Sequence, residues 1–202
     1  MENLPADLSW LAAERVERWA GELRINLIRL VAIAAFYGHH LFNRFVLKEC
    51  FPPNYSLAVT ATAAIWTLGA LALHLSLTNQ RVPAGLRYIA VGFDVLMITS
   101  LLMVSDGPRS TLVVLLFLVV ATSTLRFDLR LVWVATALTL LSYGLVCGHA
   151  KWIKPERQIP RRQQVIMVLS LSAAGVLAGQ GVRQARRFAQ DYADRVRPED
   201  AP

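Results

Sequence analysis

The sequence predicts an all-α integral membrane protein: an up-and-down bundle of six transmembrane helices, led by an amphipathic interfacial helix and followed by a cytoplasmic helical extension. Three observations predict it. Apolar residue types make up 55% of the 202 residues while charged types reach only 17%, against about 25% in soluble domains. The charges cluster in short polar breaks and at the two ends of the chain. Between 25 and 183 the apolar runs are continuous and do not alternate as barrel strands would. Together these exclude a disordered, collagen-like or disulfide-framework chain, and a soluble globule as well.

Residues 7–24 read as an amphipathic helix. Leu8, Leu11, Ala12, Val16, Trp19, Ala20 and Leu23 recur at helical spacing on one face, and Glu14, Arg15, Glu17, Arg18 and Glu22 fill the other. Asp7 is the expected N-cap. Trp10 and Trp19 suit headgroup depth, so this helix is expected to lie in the membrane surface and feed the first span. A partner-docking helix is the alternative. The start is acidic and contains Pro5, unlike a cleavable signal peptide, so the first span is expected to act as an uncleaved anchor.

A hydrocarbon core about 30 Å thick needs roughly 20 apolar residues as helix. The candidate spans are 25–47, 56–78, 88–104, 111–125, 131–147 and 165–180. The fourth is short, but Arg109 and Arg126 at its ends can snorkel outward along their aliphatic stems. Pro52, Pro53, Pro83 and Gly85 punctuate the first connections. Asp106-Gly107-Pro108-Arg109-Ser110 is a compact turn, with Ser110 placed to cap the next helix. The chain thus divides into 1–24, a transmembrane domain over 25–181, and an exit helix and tail over 182–202.

Lysine and arginine placement orients the bundle. With both termini cytoplasmic, the inner side holds the larger share, including Arg15, Arg18, Arg24, Arg81, Arg87, Arg126, Arg130 and the arginines of the tail. The connection over 150–164, with Lys151, Lys154, Arg157, Arg161 and Arg162, argues the other way. The expected location is a bacterial cytoplasmic membrane. The net charge of +7 fits a protein facing anionic lipid, and nucleic acid need not be invoked.

No helix breaker separates the sixth span from the segment ending at Pro198. Val182, Ala185, Ala189, Tyr192 and Val196 follow spacings of three and four, an a/d pattern that lets two copies pair as a parallel coiled coil. Gly175 and Gly179 form a GxxxG pair, which lets helix backbones approach closely. Both cues point to a homodimer through the last helix, although glycine pairs also pack within one bundle.

An ionisable residue inside a span is costly and is by default a functional candidate. Asp94 stands mid-way along the third span, with Arg29, Tyr37 and Tyr143 as candidate partners. A structural lock between helices is the plainer reading, and a proton or ion relay the sharper one. His39 and His40 fall in the outer half of the first span, His149 at the end of the fifth and His74 in the second. Imidazoles from different helices can hold haem or a metal ion, but His39 and His40 are adjacent and cannot both face one site. No CxxCH, HExxH or paired-cysteine motif accompanies them, so no cofactor is expected. Cys50 and Cys147 fall on the same face in this topology, where an oxidising compartment permits a disulfide.

Enzyme signatures are absent: there is no P-loop, no Gly-x-Ser-x-Gly elbow and no pair of intramembrane carboxylates. Asp106-Gly107 opens like an alcohol-phosphotransferase motif but lacks the further aspartates that would hold metal.

The amphipathic lead into Arg24-Ile25-Asn26-Leu27-Ile28-Arg29-Leu30, the Phe36-Tyr37-Gly38-His39-His40 segment and the Asp106–Ser110 turn carry a family likeness. Leu125-Arg126-Phe127 and the exit from Gly179 to Arg187 extend it. Over about residues 7 to 197 the chain resembles the multi-pass, six-helix N-terminal membrane sensor modules of bacterial histidine kinases and nucleotide cyclases. The resemblance implies a dimeric receptor that signals through its last helix to a cytoplasmic output domain, and this sequence reaches Pro202 without one. The resemblance brings no ligand-binding residue with it. The expected function is therefore a non-catalytic sensor that relays a signal to a cytoplasmic partner. Asp94, His39, His40, Arg109 and Arg29 are its candidate sensing residues. A haem- or metal-binding redox or proton-linked transport subunit, or a structural subunit of a larger membrane complex, is the alternative.

Overall fold

Every apolar run becomes a helix, because a backbone surrounded by lipid must satisfy its polar groups within the segment. The computed structural model describes residues 5–48, 53–78 and 85–196. The order is α1 (Pro5–Phe45), α2 (Pro53–Thr78), α3 (Leu86–Val104), α4 (Val114–Thr124), α5 (Leu129–Trp152) and α6 (Arg161–Val196), with no strand among the described residues. Five stretches are long and apolar enough to cross a membrane, and a sixth, Thr111–Thr124, is apolar but shorter. The hydroxyls of Thr62, Thr67, Ser76, Thr99, Ser100, Thr136 and Ser172 bond back to the carbonyl one turn earlier. Intrahelical bonding of this kind lets serine and threonine sit in an apolar span without a partner helix.

The chain forms two compact units, 1–106 and 107–202. In the first, α2 packs on both α1 and α3. Contacts pairing Asn26 with Ala70 and Arg44 with Ser56 make α1 and α2 antiparallel. Trp66 with Asp94 and Gly69 with Phe93 do the same for α2 and α3. α1 and α3 run in parallel and meet through long charged side chains, Arg29 to Asp94 and Arg87 to Glu22. The amphipathic lead and the first span are one uninterrupted helix of 41 residues that starts at Pro5, before the expected cap. Proline is well placed at a first helical position, and a single glycine, Gly21, costs only about 1 kcal/mol and does not end a helix.

In the second unit α4, α5 and α6 pack against one another around Leu115, Leu116, Val120, Leu131, Val132, Tyr143, Val146 and Leu171. Two short 3₁₀ turns, Gly107–Arg109 and Thr111–Val113, lead into α4. Gly107 has φ +62°, a conformation that needs glycine. Ser110 caps as expected, its hydroxyl accepting from Leu112 N–H at 3.2 Å. Asp128 caps α5 in the same manner, accepting from Arg130 N–H at 3.0 Å. α6 runs from Arg161 to Val196 without interruption. The span and the exit segment are a single rod.

Candidate functional site

The strongest polar site is inside the first unit, at mid-span. Asp94 Oδ2 accepts from Arg29 Nη2 at 2.6 Å, and Asp94 Oδ1 accepts from the Trp66 indole N–H at 2.9 Å. Arg29 Nη1 donates to Asn26 Oδ1 at 2.9 Å, and Asn26 Nδ2 donates to the Ala70 carbonyl at 3.1 Å. The Arg29 and Asp94 side chains are only 8% and 13% exposed. One chain of bonds thus joins α1, α2 and α3. A cation or anion alone at this depth would be strongly disfavoured, so each group makes the other tolerable. Arg29 Nε remains buried without a hydrogen-bond partner.

About two turns earlier on both α1 and α3, the same two helices are joined again: Arg87 Nε donates to Glu22 Oε1 at 2.9 Å. The two ion pairs share a sequence separation, as expected for parallel helices in register. Of the partners expected for Asp94, Arg29 is the one used; Tyr37 turns instead to Thr60 at 3.4 Å. Tyr143 is buried in the second unit. Trp66, Asn26, Glu22 and Arg87 were not among the expected site residues. A buried indole N–H usually finds an acceptor, and that is the signal that points to Trp66.

His39 and His40 face different ways, as their adjacency requires. His39 Nε2 pairs with the Asn43 amide at 3.3 Å on an exposed surface. The His40 ring is buried, 6.3 Å from the Tyr37 ring and 5.9 Å from that of Tyr55. Arg44 donates to the Ser56 hydroxyl nearby. Among the described residues no group of three or more His, Cys, Asp or Glu side chains gathers as metal ligands would. Cys50 lies outside the described residues; Cys147 is half-buried in α5.

In the second unit, arginines bind backbone. Arg109 donates from Nε and Nη2 to the Gln158 carbonyl at 3.2 and 2.8 Å, tying the 107–110 turn to the connection before α6. At the opposite end Arg186 donates in the same forked manner to the Phe127 carbonyl, at 2.9 and 2.5 Å. Phe127 holds φ +50° there. Gly175, Gly179 and Val182 are buried within this unit. A side chain at Gly175 would strike Thr136, and one at Gly179 would meet Leu129 and Trp133. The close approach expected of the GxxxG pair therefore has α5 as its partner within the chain. Ala185 is half-buried, and the side chains of Ala189 and Tyr192 lie outside the described residues.

No match to the chain was found among curated proteins or among solved structures. A family model does match, over residues 14–179, from α1 into α6. Six apolar helices, with the polar knot of the first three enclosed in that stretch, are what it covers. The chain belongs to the family of the PilS-like transmembrane domain, a six-helix integral membrane module.

Proposed function

We propose that this protein is a non-catalytic membrane sensor that relays a signal through α6 to a cytoplasmic partner, working as a homodimer with both termini in the cytoplasm of a bacterial cell. The observation that carries this reading is α6 itself: 36 unbroken helical residues, Arg161–Val196, continuing past the end of the family match. A rigid rod transmits a displacement along its length where a jointed one would absorb it. Relay requires two packings separated by a few kcal/mol. The membrane-buried Arg29–Asp94 pair and the His40–Tyr37–Tyr55 cluster are the sensing elements, with His39 beside them. Arg109 anchors the connection that enters α6.

A spin label at position 188 of the full chain, with Cys50 and Cys147 replaced by serine, tests this in lipid nanodiscs. Distances between the two copies should form two populations, and Asp94→Asn should shift their ratio. A single population, unmoved by Asp94→Asn, overturns the relay. An absorption spectrum of the same preparation checks for haem, whose band would favour a redox subunit instead.

A further inference from the structure

We infer that the α4–α5 end of the second unit is a binding surface for anionic phospholipid headgroups, an assignment independent of the signalling role. The bond from Arg186 to the Phe127 carbonyl brings the 125–128 turn against the α6 segment around residue 186. Arg126 lies in that turn and Arg130 just after it, while Arg183 and Arg187 lie within one helical turn of Arg186 on α6. The acid within the turn, Asp128, already accepts from the α5 backbone as its cap. Arg130, Arg183 and Arg187 are exposed.

Two further observations select lipid over other anions. The apolar residues among these arginines are also open: Leu125 is 47%, Phe127 56% and Phe188 70% exposed. Exposed phenylalanine beside arginine at the end of a span is the composition of the headgroup boundary, where rings enter the acyl region and guanidiniums meet phosphate. Second, the apolar stretch Thr111–Thr124 is short: it covers about 21 Å as helix, against a hydrocarbon core of about 30 Å. A span too short for the bilayer draws headgroups inward or is met by snorkelling side chains. The tight 125–128 turn therefore sets the arginines of the adjoining helix ends, Arg130, Arg183 and Arg187, at phosphate depth.

The other end of the unit is basic too, with Arg161 and Arg162 exposed and Trp152 and Ile153 open, but its connection is longer and carries an acid. Its arginine closest to α4, Arg109, is occupied by the Gln158 carbonyl. Lys151 stands in the last turn of α5, and Lys154 on the longer connection that follows, which also carries Glu156.

Native mass spectrometry of the full chain, equilibrated with equal amounts of phosphatidylglycerol and phosphatidylcholine in mild detergent, tests the assignment. The wild type should retain phosphatidylglycerol preferentially. Each interfacial arginine is worth about fivefold in binding to an anionic surface, so Arg183→Gln with Arg187→Gln should cut that preference by roughly 30-fold. Lys151→Gln with Lys154→Gln removes the same charge elsewhere and should leave the preference within about twofold of wild type. Circular dichroism confirms that each variant is folded. No preference in the wild type, an unchanged preference in the arginine variant, or an equal loss in the lysine variant each overturns the assignment.

Discussion

The two units solve the same problem by opposite means. Lipid tails are as apolar as leucine, so helices in a bilayer associate through close packing and polar contacts, without the hydrophobic drive available in water. The first unit relies on polar contacts: Arg29, Asp94, Trp66 and Asn26 bond across three helices at mid-span, and Arg87–Glu22 repeats the link. The second relies on packing, with Gly175 pressed against Thr136, a core of Leu115, Leu116, Val132 and Leu171, and arginines confined to its ends. A charge network is stable only while both partners are present, whereas a packed core yields by increments. The first unit is therefore the half in which one chemical event can produce a large change.

The largest expected effect tests that contrast directly. Asp94→Ala leaves the Arg29 cation buried and unpaired, and breaking a buried pair in this way costs about 3–5 kcal/mol. Replacing both, Arg29→Met with Asp94→Leu, removes the charge altogether and should recover most of the loss. Thermal unfolding in bicelles, followed by helicity, compares these two variants with the wild type. If the double variant is as unstable as Asp94→Ala, the loss comes from removing the bonded pair itself and not from leaving Arg29 buried and unpaired.

Next is the packed unit. Gly175→Ile drives a branched side chain into Thr136 and should destabilise by about 1–3 kcal/mol, the usual cost of overpacking. Thr136→Ala in the same chain should relieve part of it. This separates the two places a GxxxG pair can act. A loss that Thr136→Ala relieves belongs to the α5–α6 contact, and a change in dimer mass without loss of stability would place Gly175 between two copies.

These outcomes bear on what a sequence can disclose. The helices were legible because continuous apolar runs in lipid have one backbone solution, and the starts of two followed from Pro53 and Ser110. The Arg29–Asp94 pairing was within reach, since a mid-span carboxylate needs a cation and few are available. Trp66 was not read as part of the site because its hydropathy conceals the indole N–H. Glu22 was assigned to the polar face of a surface helix, although α1 runs on without a break and brings it to Arg87. The glycines show a deeper limit. Spacing reveals that a helix can be approached closely at Gly175 and Gly179, but the identity of the approaching helix is set by the rest of the bundle.

A smaller effect sharpens the comparison inside the first unit. Trp66→Phe keeps most of the ring but removes the donor to Asp94 Oδ1. Polar contacts between membrane helices average about 0.6 kcal/mol and reach about 1.7, so a loss of about 1 kcal/mol is expected, well below that of Asp94→Ala. A loss as large would mean that the indole, and not the guanidinium, is the principal partner of Asp94.

The smallest effect is expected at Arg109. Its guanidinium binds the Gln158 carbonyl in an exposed position, where water replaces a lost partner, so Arg109→Gln should cost no more than about 1 kcal/mol globally. Its consequence should instead be local. The bond holds the connection that delivers the chain into α6, and without it amide exchange should quicken across 154–160 while the α5–α6 contact around Gly175 keeps its protection. Faster exchange that spreads through α6 would show that the second unit, like the first, depends on a single polar contact, and the contrast between packing and pairing would fail.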